Sequence, residues 1–256
     1  MTIHRIVHSF ATAVQFLTRI PLPGGMSRPG ADITLLRSAV VYFPLAGAGI
    51  GLATGSVIWL ALQLWPPLVA VGLGLLFEAI LTGGFHEDAV ADSCDAFGGG
   101  WTADDVLRIM KDSRIGSFGA LGLLLAVGLR ATGLAALEPS FVILTTMASA
   151  TLGRWAILLL MATVKPVPKR DGLAKDVGEQ IGRREVAVGS LLALPGIVGY
   201  AIHDPLRTAI MLFAVIAVTG LWGRYVRHRI GGVTGDCLGA VCYVAQVTVL
   251  LVACAR

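Results

Sequence analysis

Long apolar runs recur along this chain, at about 43–64, 68–82, 119–137, 142–164, 187–202, 207–222 and 238–255. They constrain the fold more than any other feature, because segments of roughly 15 to 20 uninterrupted apolar residues are hidden most cheaply in a bilayer. The runs do not alternate with period two, so helices rather than a barrel are expected. Charged residues make up only 14% of the sequence, against roughly 25% in a soluble domain. The fold class predicted is all-α: a polytopic helical membrane protein with about seven transmembrane helices, residues 1–256 forming one integral membrane domain. Pro66-Pro67, Glu138-Pro139 and Asp204-Pro205 punctuate the runs as turns. The runs at 68–82, 187–202 and 207–222 are short for a hydrocarbon core of about 30 Å, which implies tilt or extension into adjoining loops. Gly47, Gly51 and Gly55 form a small-xxx-small ladder that lets a second helix approach closely.

Ahead of the first run, Ile6, Val7, Phe10, Ala13, Val14 and Leu17 fall on one helical stripe, with His4, Arg5, Gln15 and Arg19 among them. Pro21 and Pro23 stop that helix, and no signal-peptide cleavage site follows. An N-terminal interfacial amphipathic helix is the expectation. With the N-terminus cytoplasmic and seven alternating spans, every Lys and Arg except Arg130, Arg154, Arg207 and Arg256 falls on the inner side. That bias is the positive-inside pattern. It accounts for the basic balance without a nucleic-acid partner, for which a basic soluble face with interleaved aromatics would be needed.

The polar motifs then share the cytoplasmic side. Gly83-Gly84-Phe85-His86-Glu87-Asp88-Ala89-Val90-Ala91-Asp92-Ser93-Cys94-Asp95 follows directly on an apolar run. Spacings of four and three place Asp88, Asp92 and Asp95 on one helix face. Three like charges so close repel one another unless a divalent cation neutralises them. Mg2+, which takes one or two carboxylates and then substrate phosphate oxygens, suits the pattern; a solvated acidic face is the plainer alternative. An imidazole ordinarily titrates near neutrality, so His86 is a candidate general base, or alternatively a group that orients a carboxylate or phosphate. On a continuous helix it points about 160° from Asp88, so it faces the same site only if Gly83-Gly84 breaks the helix there.

Three further segments join this face. In Met110-Lys111-Asp112-Ser113-Arg114-Ile115-Gly116-Ser117-Phe118-Gly119, Lys111 and Arg114 are expected to share a helical face beside the start of a span. Lys111, Asp112, Ser113 and Arg114 are therefore candidate substrate contacts, with membrane anchoring as the alternative. The 165–186 loop is dense in Lys and Arg. Gly231-Gly232-Val233-Thr234-Gly235-Asp236 leads into the last span. Backbone N–H groups at such a turn suit a phosphate, which makes Gly232, Thr234, Gly235 and Asp236 candidates; a tight packing turn explains the glycines equally well. Arg154 and Glu78 lie within spans, where a charge normally faces the bundle interior with a partner. Either they pair with each other or Arg154 reaches substrate phosphates. Asp104 and Asp105 are expected to start a helix over 103–111. Cys94, Cys237, Cys242 and Cys254 show no CxxC spacing, which argues against zinc, and Cys94, Cys237 and Cys242 are expected on or near the reducing cytoplasmic side, which argues against disulfides.

Taken together, FLTRIPLP at 16–23, GGFHEDAVADSCDAF at 83–97, MKDSRIGSFG at 110–119 and GGVTGDCLGA at 231–240 resemble the cobalamin synthase family, the adenosylcobinamide-GDP ribazoletransferases. Ala89 and Ala96 stand where the family commonly has Gly, and Cys237 where Thr is common; no carboxylate is lost. The resemblance implies transfer of the cobinamide phosphate of adenosylcobinamide-GDP to α-ribazole or its 5′-phosphate, with release of GMP. It also implies Mg2+ on Asp88, Asp92 and Asp95, and a multi-pass protein of the prokaryotic cytoplasmic (inner) membrane with its active site on the cytoplasmic face. Partners are then the two substrates and the lipid bilayer, with a homo-oligomer left open. A CDP-alcohol phosphotransferase would also be a polytopic magnesium enzyme, but Asp88 is followed by Ala89-Val90-Ala91-Asp92 rather than a DGxxAR-type signature. A transporter should carry polar breaks near the midplane, whereas these motifs cluster at one face.

Overall fold

The computed structural model describes residues 3–21, 33–168 and 181–255. Its elements in chain order are α1 (Ile3–Leu17), α2 (Ile33–Val40), α3 (Phe43–Ala61), α4 (Pro67–Thr82), α5 (Phe85–Gly99), α6 (Ala103–Ile109) and α7 (Ser117–Ala135). A 3-10 turn (Pro139–Phe141) then leads into α8 (Val142–Thr163), α9 (Arg183–His203), α10 (Pro205–Ile230) and α11 (Gly235–Cys254). Prolines open α4, the 3-10 turn and α10, where a missing N–H costs nothing. The all-α expectation holds among the described residues. Pro23, Arg28, Lys169, Arg170, Lys175 and Arg256 lie outside the described residues.

α8 has no solvent-facing polar side and is buried along most of its length, Arg154 included. It is the axis on which α3, α9, α10 and α11 pack. The glycine ladder of α3 lies against it: a Cβ on Gly47 would meet the Ala150 carbonyl oxygen at 2.5 Å, and one on Gly51 would strike that of Thr146. Without a hydrophobic drive between helices in lipid, this close approach supplies the association through dispersion contacts.

Pairwise register fixes the direction of each helix. Gly47 meets Ala150 and Gly55 meets Ile143, so α3 and α8 are antiparallel. Gly189 meets Leu158 and Gly199 meets Leu144, which makes α9 antiparallel to α8 as well. Gly153 packs on Cys242 and Gln246 of α11, and the Ser149 hydroxyl donates to the Gln246 carbonyl at 3.1 Å. The chain therefore alternates. Residues 164–168, 181–182 and 231–234 gather at the end of the bundle where α3 begins; Ala61, Ala135, Asp204 and Cys254 lie at the other. At the first end the only extended pairing among the described residues, Pro166 beside Val233, ties the exit of α8 to the entry of α11. Val233 N–H donates to the Lys165 carbonyl and Val167 N–H to that of Val233.

Among the described residues six helices are long and apolar enough to cross a membrane: α3, α7, α8 with its 3-10 turn, α9, α10 and α11. The run expected at 68–82 is not a complete span by itself. α4 has 16 residues, about 24 Å at 1.5 Å per residue, and then turns by 90° into α5. Counted as one broken span, the bent pair brings the number of crossings to seven. The cause is local: Gly83 and Gly84 both take left-handed backbone, with φ of 77° and 67°, which other residues adopt only at a cost. α5 leaves the break and runs antiparallel to α11 toward the loop end, with Ala89 against Gly239 and Ser93 beside Asp236. α1 packs near the start of α3, with Phe16 stacked on Phe43 at 5.5 Å. On its apolar stripe Ala13 and Leu17 are buried, whereas Ile6, Val7 and Phe10 stay exposed, as an interfacial helix requires.

Candidate active site

α5 carries the acidic motif as one helix, so Asp88 and Asp92, four residues apart, share a face. Both line a cavity of about 640 Å³. Its walls come from four places: Asp88, Ala91 and Asp92 of α5; Thr82, Gly83, Gly84 and Phe85 at the break; Phe16, Thr18 and Arg19 at the end of α1; and Ser113 and Ile115 ahead of α7, with Leu123. A lining that mixes Asp88, Asp92, Arg19 and hydroxyl groups with Phe16, Phe85, Ile115 and Leu123 suits an amphiphilic or phosphorylated substrate.

Asp95 has another occupation. Its two carboxylate oxygens accept the backbone N–H of Gly116 and of Gly119, each at 2.7 Å, so it caps α7 from another helix, Gly116 having no side chain to do so. Among the described residues no three His, Cys, Asp or Glu converge as a metal-binding group. What the cavity presents is a pair of carboxylates with Asp95 set one turn away. The cap leads to a test: Asp95→Ala should lower stability by about 2 kcal/mol, the loss of charge-assisted hydrogen bonds, read as a reduced Tm in detergent. An unchanged Tm would show the cap to be incidental.

His86 is turned the other way. It sits on the same continuous helix as Asp88, is 2% exposed and does not line the cavity. The helix break lies before α5 rather than between the two residues, which is why the 160° separation persists. His86 instead faces an interior polar cluster within electrostatic reach of Arg154 and Arg130, and its Nε2 has no partner among the described residues.

That cluster answers the question of the intramembrane charges differently from the sequence. Glu78 pairs with Arg130, whose Nη2 donates to both carboxylate oxygens at 2.8 and 2.7 Å; both side chains are 4% exposed. Arg130, placed on the outer side by the span count, lies instead inside the bundle. It also approaches Glu87 at 3.8 Å and the Tyr243 ring at 5.4 Å. Arg154 is fully buried and outside the cavity wall. One of its nitrogens donates to the Ala150 carbonyl at 3.4 Å, while Nε and Nη2 have no partner among the described residues.

The 110–119 segment divides. α6 ends at Ile109, so Lys111 and Arg114 do not share a helical face as expected. The Asp112 carboxylate accepts both the Arg114 backbone N–H at 3.1 Å and its guanidinium at 2.6 Å, a local turn that competes with helix. Those hydrogen bonds hold the Asp112 carboxyl down at about 2. With the folded value depressed, the pair's contribution is complete above roughly pH 4 and is lost only as pH falls through about 2. The Arg114 side chain is 87% exposed, and neither it nor Lys111 lines the cavity; Ser113 and Ile115 do. Upstream, Thr102 caps α6 in a box with Asp105, refining the expected role of Asp104 and Asp105.

The Gly-rich turn before α11 serves packing. A Cβ on Gly232 would meet the Lys165 carbonyl oxygen at 2.7 Å. Thr234 is buried and accepts the Cys237 N–H at 3.3 Å as N-cap. Gly235 is exposed and Asp236 half-buried at the same end of the bundle, and none of the four lines the cavity. Conversely, sequence reasoning left out Thr18, Arg19 and Thr82 as site residues. Only the FLTRIPLP segment held a signal for Arg19, since no spacing rule links it to an acidic helix some sixty-five residues on.

Comparison with known proteins agrees with the motif placement. A family model described as cobalamin-5-phosphate synthase matches residues 9–254. An adenosylcobinamide-GDP ribazoletransferase of Ralstonia pickettii (strain 12J) is 37% identical over 243 residues, covering 93% of this chain and 92% of the relative. One of Shewanella baltica (strain OS155) is 36% identical over 248 residues, 95% of this chain and 92% of its own. One of Leptothrix cholodnii is 36% identical over 238 residues, 90% and 89%. No solved structure matches. Matched from the middle of its first helix to the last turn of its final span, the chain belongs to the cobalamin-5-phosphate synthase family.

Proposed function

We propose that the chain is an adenosylcobinamide-GDP ribazoletransferase, joining α-ribazole or its 5′-phosphate to the cobinamide phosphate and releasing GMP. Family membership carries the activity, and the cavity between α1, the α4–α5 break and α5, with two carboxylates in its wall, supports that reading. A ribose hydroxyl of the acceptor forms the new O–P bond while the bond from phosphorus to the GMP oxygen breaks. Such transfers depend on positioning and on neutralising phosphate charge. Mg2+ held by Asp88 and Asp92 would supply that neutralisation at the substrate pyrophosphate. Two carboxylates one turn apart in one cavity wall are the number this ion takes from protein when phosphate oxygens complete its shell.

The chain's own groups do the rest. α5 is rigidly held against α7 and α11, which keeps Asp88 and Asp92 at a fixed separation. Asp95 fixes the entry of α7 and, through it, Ser113 and Ile115 on the opposite wall. His86 takes a positioning role in the interior cluster, since a general base needs hydrogen-bond reach to the reacting hydroxyl. Purified enzyme in liposomes, given adenosylcobinamide-GDP and α-ribazole, should release GMP in step with product. Absence of GMP release with an intact, folded protein would overturn the assignment.

The active site opens on the cytoplasmic face of a prokaryotic inner membrane in this reading. The loop end of the bundle holds Arg108, Lys111, Arg114, Lys165, Arg183, Arg184, Arg227 and Arg229, the positive side of the sequence. With the broken α4–α5 pair counted as one crossing, a reporter fused after Arg256 should read as external. A cytoplasmic reading would mean that one crossing is missing.

A further inference from the structure

The cavity wall holds one cation among the described residues, and it is not in the acidic motif or the 110–119 segment. Arg19 follows α1, and its backbone N–H donates to the Leu81 carbonyl at 2.7 Å. That bond staples the end of the amphipathic helix to the last turn of α4. The side chain then crosses the helix break: its Nε occupies the space that a Cβ on Gly83 would need, with Cζ and Nη2 at 2.8 Å from that position. Gly83 is thus fixed twice, by φ of 77° and by the guanidinium lying on it. Arg19 forms no ion pair among the described residues although Asp88 and Asp92 share its cavity, whereas Arg114 is already bound by Asp112.

We infer that Arg19 is the phosphate-gripping residue of the nucleotide-activated substrate, contributed by the N-terminal amphipathic helix. The inference rests on the proposed function of this cavity. A divalent cation on two carboxylates leaves the site near neutral, and an ionised pyrophosphate diester brings two further negative charges. A guanidinium can hold phosphate oxygens bidentately, where an ammonium acts as a point charge. The same geometry makes docking of α1 a condition for a complete site, because the residue that grips substrate sits directly after it.

GDP serves as the probe, bound at equilibrium to the full-length protein in detergent with Mg2+ present. Arg19→Gln should weaken GDP at least about tenfold and raise KM for adenosylcobinamide-GDP in parallel, with KM for α-ribazole unmoved. Arg19→Lys should fall between the two. Arg5→Gln, exposed on the same helix, should match wild type, which separates the cavity cation from membrane anchoring. Equal GDP affinity in wild type and Arg19→Gln, or equal weakening by Arg5→Gln and Arg19→Gln, overturns the inference while wild-type GMP release leaves the activity standing. A wild-type protein that neither binds GDP nor releases GMP overturns the reading of the cavity itself.

Discussion

Asp88→Ala and Asp92→Ala are each expected to reduce GMP release by about three orders of magnitude or more while the protein remains folded in the membrane. A loss of that size corresponds to about 4 kcal/mol of transition-state stabilisation. It is the scale expected when one of two protein ligands to an essential cation is removed. Asp88 is exposed in the cavity and Asp92 half-buried, so neither truncation opens a hole in the core, and Tm should stay within a few degrees of wild type. Raising Mg2+ or supplying millimolar Mn2+ should restore part of the activity if a weakened site is being refilled. Asp95→Ala should differ in kind, losing stability through the α7 entry and gaining nothing from added metal. An Asp92→Ala enzyme with near wild-type turnover at low Mg2+ would remove the metal assignment.

Glu78→Leu should be the most destabilising single change outside the cavity. It leaves Arg130, 4% exposed, without its bidentate partner inside the bundle. Breaking a buried pair from one side costs about 3–5 kcal/mol, mostly the penalty of the stranded charge. Removing both charges with Glu78→Leu and Arg130→Met should recover much of that loss, because an apolar pair of similar volume fits a low-dielectric interior. Recovery is bounded by Glu87, which keeps an approach to Arg130 at 3.8 Å in the native protein. Thermal unfolding of the two variants in detergent reads the difference. A single variant as stable as wild type would show that the pair contributes specificity of packing rather than stability.

What could be read from the sequence, and what could not, divides along sequence separation. The acidic helix was legible because its period is local: spacings of four and three admit one reading, and Gly83-Gly84 announced the break. The close packing of α3 was legible for the same reason. Arg130 was not, since its partner is 52 residues away and a span count alone put it at the outer surface. Lys111 and Arg114 misled because i and i+3 spacing describes a helix only where the backbone stays helical, and the Asp112 carboxylate intercepts it. The turn of Asp95 toward the amides of α7 depends on a glycine entry that offers no side-chain cap of its own, a tertiary solution to a local deficit.

The ion pair between α4 and α7 also sets an order of events during synthesis. Glu78 leaves the ribosome 52 residues before Arg130, several seconds earlier at about 5–20 residues per second. During that interval α4 is a short helix with an uncompensated acid one turn from its end, followed by a segment rich in carboxylates. Until α7 is made, Glu78 has no Arg130 to offset its charge. The stable burial of the helix that leads into the acidic motif is thus tied to a helix synthesised after it.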